Sequence, residues 1–147
     1  MKKQLTMALV AHDRRKADMV EWVLDNSDKL LGHKLVCTGT TGGLIKNALL
    51  EKGIDADITC MNSGPLGGDA EIATLVVRKQ VNLAVFLIDD LNSQPHEADI
   101  QMLLRQCRVH NVPIACNRYS ADLMINSTLW DNEDYEAKAP SYVHFAR

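Results

Sequence analysis

The chain has 147 residues, 46% of them hydrophobic, which suits one globular domain spanning 1–147 around a single core. Sixteen Lys and Arg against nineteen Asp and Glu give a net charge of -3, with few aromatic residues and no basic stripe, so nucleic acid is not an expected partner. No run approaches the ~18 apolar residues that a membrane span requires.

Met1-Lys2-Lys3 followed by an apolar stretch superficially resembles a signal peptide. The stretch is short, contains Thr6 and runs straight into His12-Asp13-Arg14-Arg15-Lys16, so Leu5 to Ala11 is expected as a first strand instead. Asp13 can cap the next segment, in which Ala17, Val20, Val23, Leu24 and Leu30-Leu31 fall at helical spacing as far as Gly32. Lys34 to Thr38 reads as a second strand, and Gly39-Thr40-Thr41-Gly42-Gly43 as a loop leading into a helix from Leu44 to Lys52. Ala56 to Met61 reads as a third strand. The loop from Asn62 to Asp69 then leads to a helix that runs through Arg78.

Leu83 to Ile88 is an unbroken apolar run of the kind found in central strands covered on both faces. A helix from about His96 to His110, a fifth strand from Val112 to Cys116 and a helix from Ala121 to Ile125 follow. Beyond Trp130 the pattern fades into an irregular surface segment. Strand and helix alternate throughout, which predicts an α/β domain with a five-stranded parallel sheet. Ligands of such sheets bind beyond the carboxyl ends of the strands, where the strand order reverses, so the first four loops should converge on one crevice. Cys37, Cys60, Cys107 and Cys116 show no C-x-x-C spacing and are expected as reduced, mostly buried thiols of a cytoplasmic protein.

Those four loops carry the reactive side chains. Loop one holds His12, Asp13 and Lys16. Loop two holds Thr38, Thr40 and Thr41, and loop three holds Ser63, Gly64 and Asp69. Loop four holds Asp89, His96 and Asp99. Each has an ordinary explanation: Asp13, Thr40 and Thr41 as helix caps, Asp69 as a complement to a helix dipole, His96 and Asp99 as a surface pair at i, i+3. Taken together they point elsewhere. Hydroxyls, glycine amides and one lysine are what a monophosphate needs, and carboxylates with histidines beside it are the groups of proton transfer. The combination fits an enzyme acting on a small phosphorylated carbonyl compound. The P-loop pattern and G-x-G-x-x-G are both missing, and no H-x-x-x-H or Cys/His spacing supports a metal.

Leu9-Val10-Ala11-His12-Asp13 with Lys16, Thr38-Gly39-Thr40-Thr41-Gly42, Ser63-Gly64-Pro65-Leu66-Gly67-Gly68-Asp69, and Pro95-His96 with Asp99 together resemble the methylglyoxal synthase family over about residues 7 to 125. The resemblance implies a Rossmann-like three-layer sandwich. It also implies a lyase that converts dihydroxyacetone phosphate to methylglyoxal and inorganic phosphate without metal or organic cofactor, in a homohexamer under allosteric inhibition by phosphate. Asp69 is similar to the family's base. Lys16, Thr38, Thr40, Thr41, Ser63 and Gly64 match its phosphate site, His96 its electrophile, and Asp99, Asp13, His12 and Asp89 the groups that arrange it and shuttle protons. Asp90 departs from the family pattern, where proline commonly follows the aspartate of loop four. Arg147 is the candidate for an arginine that the family tail supplies to the phosphate region. Two other readings remain open on these residues: a regulatory phosphate- or nucleotide-binding module of the same fold, and an isomerase using the same enediolate without elimination.

Overall fold

The computed structural model of the protein describes residues 3–130, 132–138 and 140–142. Its centre is a strand pair that the sequence makes unavoidable. β1 (Thr6–Ala11) and β4 (Leu83–Leu87) are apolar at nearly every position, so both faces must be covered. They pair in parallel, Met7 against Leu83 through Ala11 against Leu87. β2 (Lys34–Cys37) and β3 (Ile58–Cys60) continue the sheet on one side and β5 (Ile114–Ala115) on the other. The order is β3-β2-β1-β4-β5, all parallel.

The period-two alternation of the strands divides the core into two layers. Met7, Leu9, Leu35, Val85 and Leu87 face α1 (Lys16–Asp25), α3 (Gly39–Glu51) and α6 (Arg118–Ile125), meeting Met19, Trp22, Ile45, Leu49 and Ile125. Ala8, Val10, Val36 and Phe86 face α4 (Gly68–Val77) and α5 (Glu97–Val109), meeting Ile72, Val76, Ile100 and Leu103. The result is the expected three-layer α/β sandwich. Among the described residues no helix is long and apolar enough to cross a membrane.

Several boundaries differ from expectation, each for a local reason. The first helix stops at Asn26, whose side chain donates to the Trp22 carbonyl, and α2 (Ser27–Leu30) is a separate turn. The third strand is shorter than 56–61 because it lies at the sheet edge with its side chains half-buried or exposed. The fifth shrinks from 112–116 to a two-residue pairing. α6 begins at Arg118, since Asn117 caps it by accepting from the Ser120 N–H. Asp13 caps nothing: His12 holds the cap position of a short 3-10 turn over Asp13–Arg15, with no side-chain bond.

The glycine-rich stretch after β2 is not a loop but the first turn of α3. A Cβ on Gly39 would lie 2.9 Å from the Met61 carbonyl oxygen, so glycine there lets the helix start close against the end of β3. The stretch from Asn62 to Asp69 also folds more tightly than expected. Gly64–Leu66 forms a 3-10 turn, Gly67 takes a left-handed φ of 100°, and a Cβ on Gly68 would overlap the Asn62 carbonyl oxygen. The N–H groups of Leu66 and Gly68 donate to the Ser63 carbonyl and that of Gly67 to the Gly64 carbonyl. Glu71 accepts from both the backbone N–H and the side-chain amide of Asn62, which anchors the turn. All four cysteines are free, as expected; Cys37 and Cys107 are buried, whereas Cys60 and Cys116, at the open ends of edge strands, are exposed.

Candidate functional site

The strand order reverses between β1 and β4, and the crevice lies there. A cavity of about 250 Å³ opens beyond the carboxyl ends of the strands. Loop one contributes His12, Asp13 and Lys16, loop two Thr38 and Thr40, loop three Ser63, Gly64 and Asp69, and loop four His96. A larger cavity of about 640 Å³ lies at the opposite end of the sheet, among Leu5, Leu83, Pro113, Met124 and Trp130. Among the described residues that line it there is no carboxylate or histidine, whereas the smaller cavity gathers both.

Asp69 occupies the first turn of α4 rather than the loop before it, and it is completely buried. Its position is therefore not that of a solvated dipole partner. Among the described residues neither carboxylate oxygen has a hydrogen-bond partner. His96 Nε2 stands 3.3 Å from Asp69 Oδ2, close enough to interact electrostatically but not aligned as a hydrogen bond. Burial pushes the Asp69 carboxyl above the ordinary aspartate range, His96 partly opposes this, and the nearby Asp99 charge adds to it. A carboxylate poorly solvated and left without donors is a stronger base than one in water.

His12 has a defined tautomer. Its Nδ1 accepts the backbone N–H of Asp89 at 2.9 Å, so the single proton of the neutral ring sits on Nε2. Burial lowers its pKa, as does the His96 ring, which stands edge-on with centroids 5.6 Å apart. His12 is therefore a neutral donor. His12, Asp69 and His96 present atoms within 4.8 Å of one another, a grouping a cation would suit by distance alone. The tautomer argues against one, because the protonated Nε2 of His12 has no lone pair to give.

Lys16 is sheltered and paired with the exposed Asp13, whose carboxyl it holds below its usual range. Thr40 and Thr41 lie in the first turn of α3, where amide N–H groups have no intrahelical acceptor. Thr38 lines the cavity, and its buried hydroxyl donates to that of Thr41 at 3.4 Å, which donates on to the Ala11 carbonyl at 3.4 Å. The Ser63 and Gly64 amides are the part of loop three left open to a ligand, since those of Leu66, Gly67 and Gly68 turn inward.

Three expected residues do not line the cavity. Thr41 supports it from beneath. Asp89 accepts from Leu91 N–H and the Asn92 side chain, which fixes loop four; its backbone N–H makes the hydrogen bond to His12, and its carboxylate acts on that ring through charge alone. Asp90 is exposed and turned outward. Asp99, half-buried in the first turn of α5, acts on Asp69 through its charge. Gln94 does line the cavity and was not expected; nothing in its sequence context marks it. Arg147 lies outside the described residues.

The charge of Asp99 has a measurable consequence. A base must be ionised, so in a reaction that uses Asp69 as its base kcat/KM should fall as pH drops through the raised pKa. Asp99→Asn removes one cause of that elevation, and the acid limb should move to lower pH in a pH–rate profile. A limb that stays in place would remove Asp99 from this role.

Residues 18–116 match the family model of the MGS-like domain. The chain is 65% identical to the methylglyoxal synthase of Treponema socranskii, over all of this chain and 93% of that one. It is 42% identical to the methylglyoxal synthase of Pseudoalteromonas atlantica, over 95% of this chain and 99% of that one. The crystal structure of methylglyoxal synthase from Elizabethkingia anophelis NUHP1 superposes with a TM-score of 0.85 at 37% identity, covering 97% of this chain and 90% of the other. With the whole chain spanned, including the His12 to Lys16 loop that precedes the family-model match, this protein belongs to the methylglyoxal synthase family.

Proposed function

We propose that this chain is a carbon–oxygen lyase that converts dihydroxyacetone phosphate to methylglyoxal and inorganic phosphate, with no metal or organic cofactor. One observation carries the reading. Among the described residues, the four buried side-chain polar atoms without a partner are His12 Nε2, His96 Nδ1 and both oxygens of Asp69, all at one cavity. Proteins rarely leave such atoms unsatisfied, and a polar ligand would satisfy them.

The substrate divides between two halves of the cavity. Its phosphate takes Lys16, the hydroxyls of Thr38, Thr40 and Ser63, and the amides at the start of α3 and at Gly64. Its carbonyl lies between His96 and His12. Asp69 removes a proton from the hydroxymethyl carbon, and the electrons pass to the carbonyl oxygen, where an N–H donor is worth roughly 3 to 4 kcal/mol in the transition state. In the second step the hydroxyl proton leaves and the terminal C=O forms. The C=C electrons shift one bond along, and the C–O bond to phosphate breaks. The resulting enol takes a proton on its methylene carbon to give methylglyoxal. Elimination requires the breaking C–O bond to stand out of the enediolate plane, so the donors around the phosphate set the product by setting this torsion.

The test is to incubate the protein with dihydroxyacetone phosphate and follow phosphate, methylglyoxal and glyceraldehyde phosphate. Equimolar phosphate and methylglyoxal are expected. Glyceraldehyde phosphate alone would indicate an isomerase, and no turnover a binding module. Lys16→Met should raise KM about 10- to 100-fold with a smaller change in kcat, as expected for loss of one charged hydrogen bond. An unchanged KM would remove Lys16 from the phosphate site.

The same reading makes the protein a cytoplasmic homohexamer inhibited by phosphate. Free cysteines suit a reducing compartment. Leu66 and Leu91, 75% and 91% exposed, give apolar surface that an assembly would cover. Light scattering would test the hexamer, and phosphate titration of the initial rate would test the inhibition.

A further inference from the structure

We propose that Cys60 and Cys37 form an oxidative modification site, a thiol pair that a low-molecular-weight disulfide closes into a bridge, inactivating the chain until a thiol reopens it. The two residues are direct register partners on adjacent parallel strands. Neighbouring strands run about 4.8 Å apart, inside the Cα window of about 4.4 to 6.8 Å that a disulfide spans. Both side chains point to the same face and meet beneath Gly42, where a Cβ would lie 2.5 Å from Cys60 Sγ and 3.0 Å from Cys37 Cβ.

Exposure sets the order of events. Cys60 is exposed, on a three-residue strand at the sheet edge, and meets the reagent first. Its thiolate attacks one sulfur of the small disulfide, forming a mixed disulfide and releasing one thiolate. That thiolate takes the Cys37 proton, and Cys37 then attacks Cys60 Sγ and expels the second thiol. The protein loses two electrons and two protons, and one small disulfide becomes two thiols. Burial and the neighbouring Cys60 push the Cys37 thiol up to about 12, so ring closure is the slow step.

The bridge would reach the cavity through the backbone. Cys37 is followed by Thr38, and Cys60 leads through Met61 and Asn62 to Ser63 and Gly64. The Met61 N–H donates to the Cys37 carbonyl at 2.7 Å, and the Gly39 N–H to the Asn62 carbonyl at 3.2 Å. Turning both sulfurs toward each other beneath Gly42, where a Cβ would already lie 2.5 Å from Cys60 Sγ, would therefore press on the start of α3 and shift the phosphate-facing groups of loops two and three relative to each other.

The experiment treats the full chain with glutathione disulfide, maps the peptides, and assays phosphate release before and after dithiothreitol. A Cys37–Cys60 linked peptide is expected, with activity down at least about tenfold and restored on reduction. Cys60→Ala and, separately, Cys37→Ala should keep their untreated activity through the same exposure. Peptide mapping reads the bridge whether or not the proposed reaction is correct. An adduct that stops at Cys60, inactivation that follows a Cys107–Cys116 bridge, or a Cys37–Cys60 bridge without loss of activity would each overturn the proposal.

Discussion

Asp69→Asn should lower turnover of dihydroxyacetone phosphate by about 10²- to 10⁴-fold while leaving phosphate affinity within a few-fold, because it deletes the base and keeps the shape. The same substitution should raise the melting temperature at pH 7. Burial lifts the Asp69 carboxyl above its unfolded value, so the native state holds that proton more tightly than the unfolded chain does. The stability this contributes is fully present below the ordinary aspartate pKa and is lost as pH rises through the raised one. Once ionised, Asp69 is a buried anion with no hydrogen-bond donor among the described residues, and a neutral amide relieves it. Melting curves at pH 4 and pH 7 separate this from a general packing effect: the advantage of the variant should shrink in acid. Turnover within about tenfold of the parent, less than ~1.4 kcal/mol in barrier, would remove Asp69 from the role of base.

That trade between stability and reactivity recurs around the cavity. His12 is held neutral by burial and by an acceptor role that a second proton would destroy, since protonated Nδ1 would face the Asp89 N–H. Its depressed pKa works in the opposite sense to that of Asp69. The stability it contributes is present above the ordinary histidine pKa and lost as pH falls through the lowered one.

The strand framework was legible because it rests on runs of residue type. Leu83 to Leu87 admits no solvent-facing side, and five strand segments alternating with helices leave few arrangements open. The convergence of four loops followed from that topology alone. What the sequence hid was tertiary in origin. Gly39 and Gly42 look like loop residues until the backbone of Met61 and the thiol of Cys60 are placed beside them, which turns the same glycines into requirements of a close-packed helix. Asp89 looked like a member of the site because of its position after β4. Its carboxylate instead serves Leu91 and Asn92, a choice set by the local turn. Gln94 reaches the cavity only because loop four folds back toward His96.

Gly64→Ala should separate geometry from chemistry more sharply than any change of charge. The added methyl would sit 2.7 Å from His96 Nε2, 3.3 Å from its Cδ2 and 3.4 Å from Asp69 Oδ1. The backbone itself would not object, because Gly64 is not among the residues with positive φ, and alanine keeps the amide N–H that the phosphate needs. Relief must therefore come from His96. That ring is buried at the start of α5 and stands against the ring of His12, so it yields by moving off the substrate oxygens and away from Asp69. A displacement near 1 Å can cost about 10²-fold in rate. The expected result is a kcat lower by about that factor, with phosphate affinity changed only a few-fold and the melting temperature nearly that of the parent. A kcat close to the parent's would show that His96 need not hold its place beside Asp69, and would remove it as the electrophile. A large fall in phosphate affinity would instead assign the methyl's effect to the Ser63–Gly64 cradle.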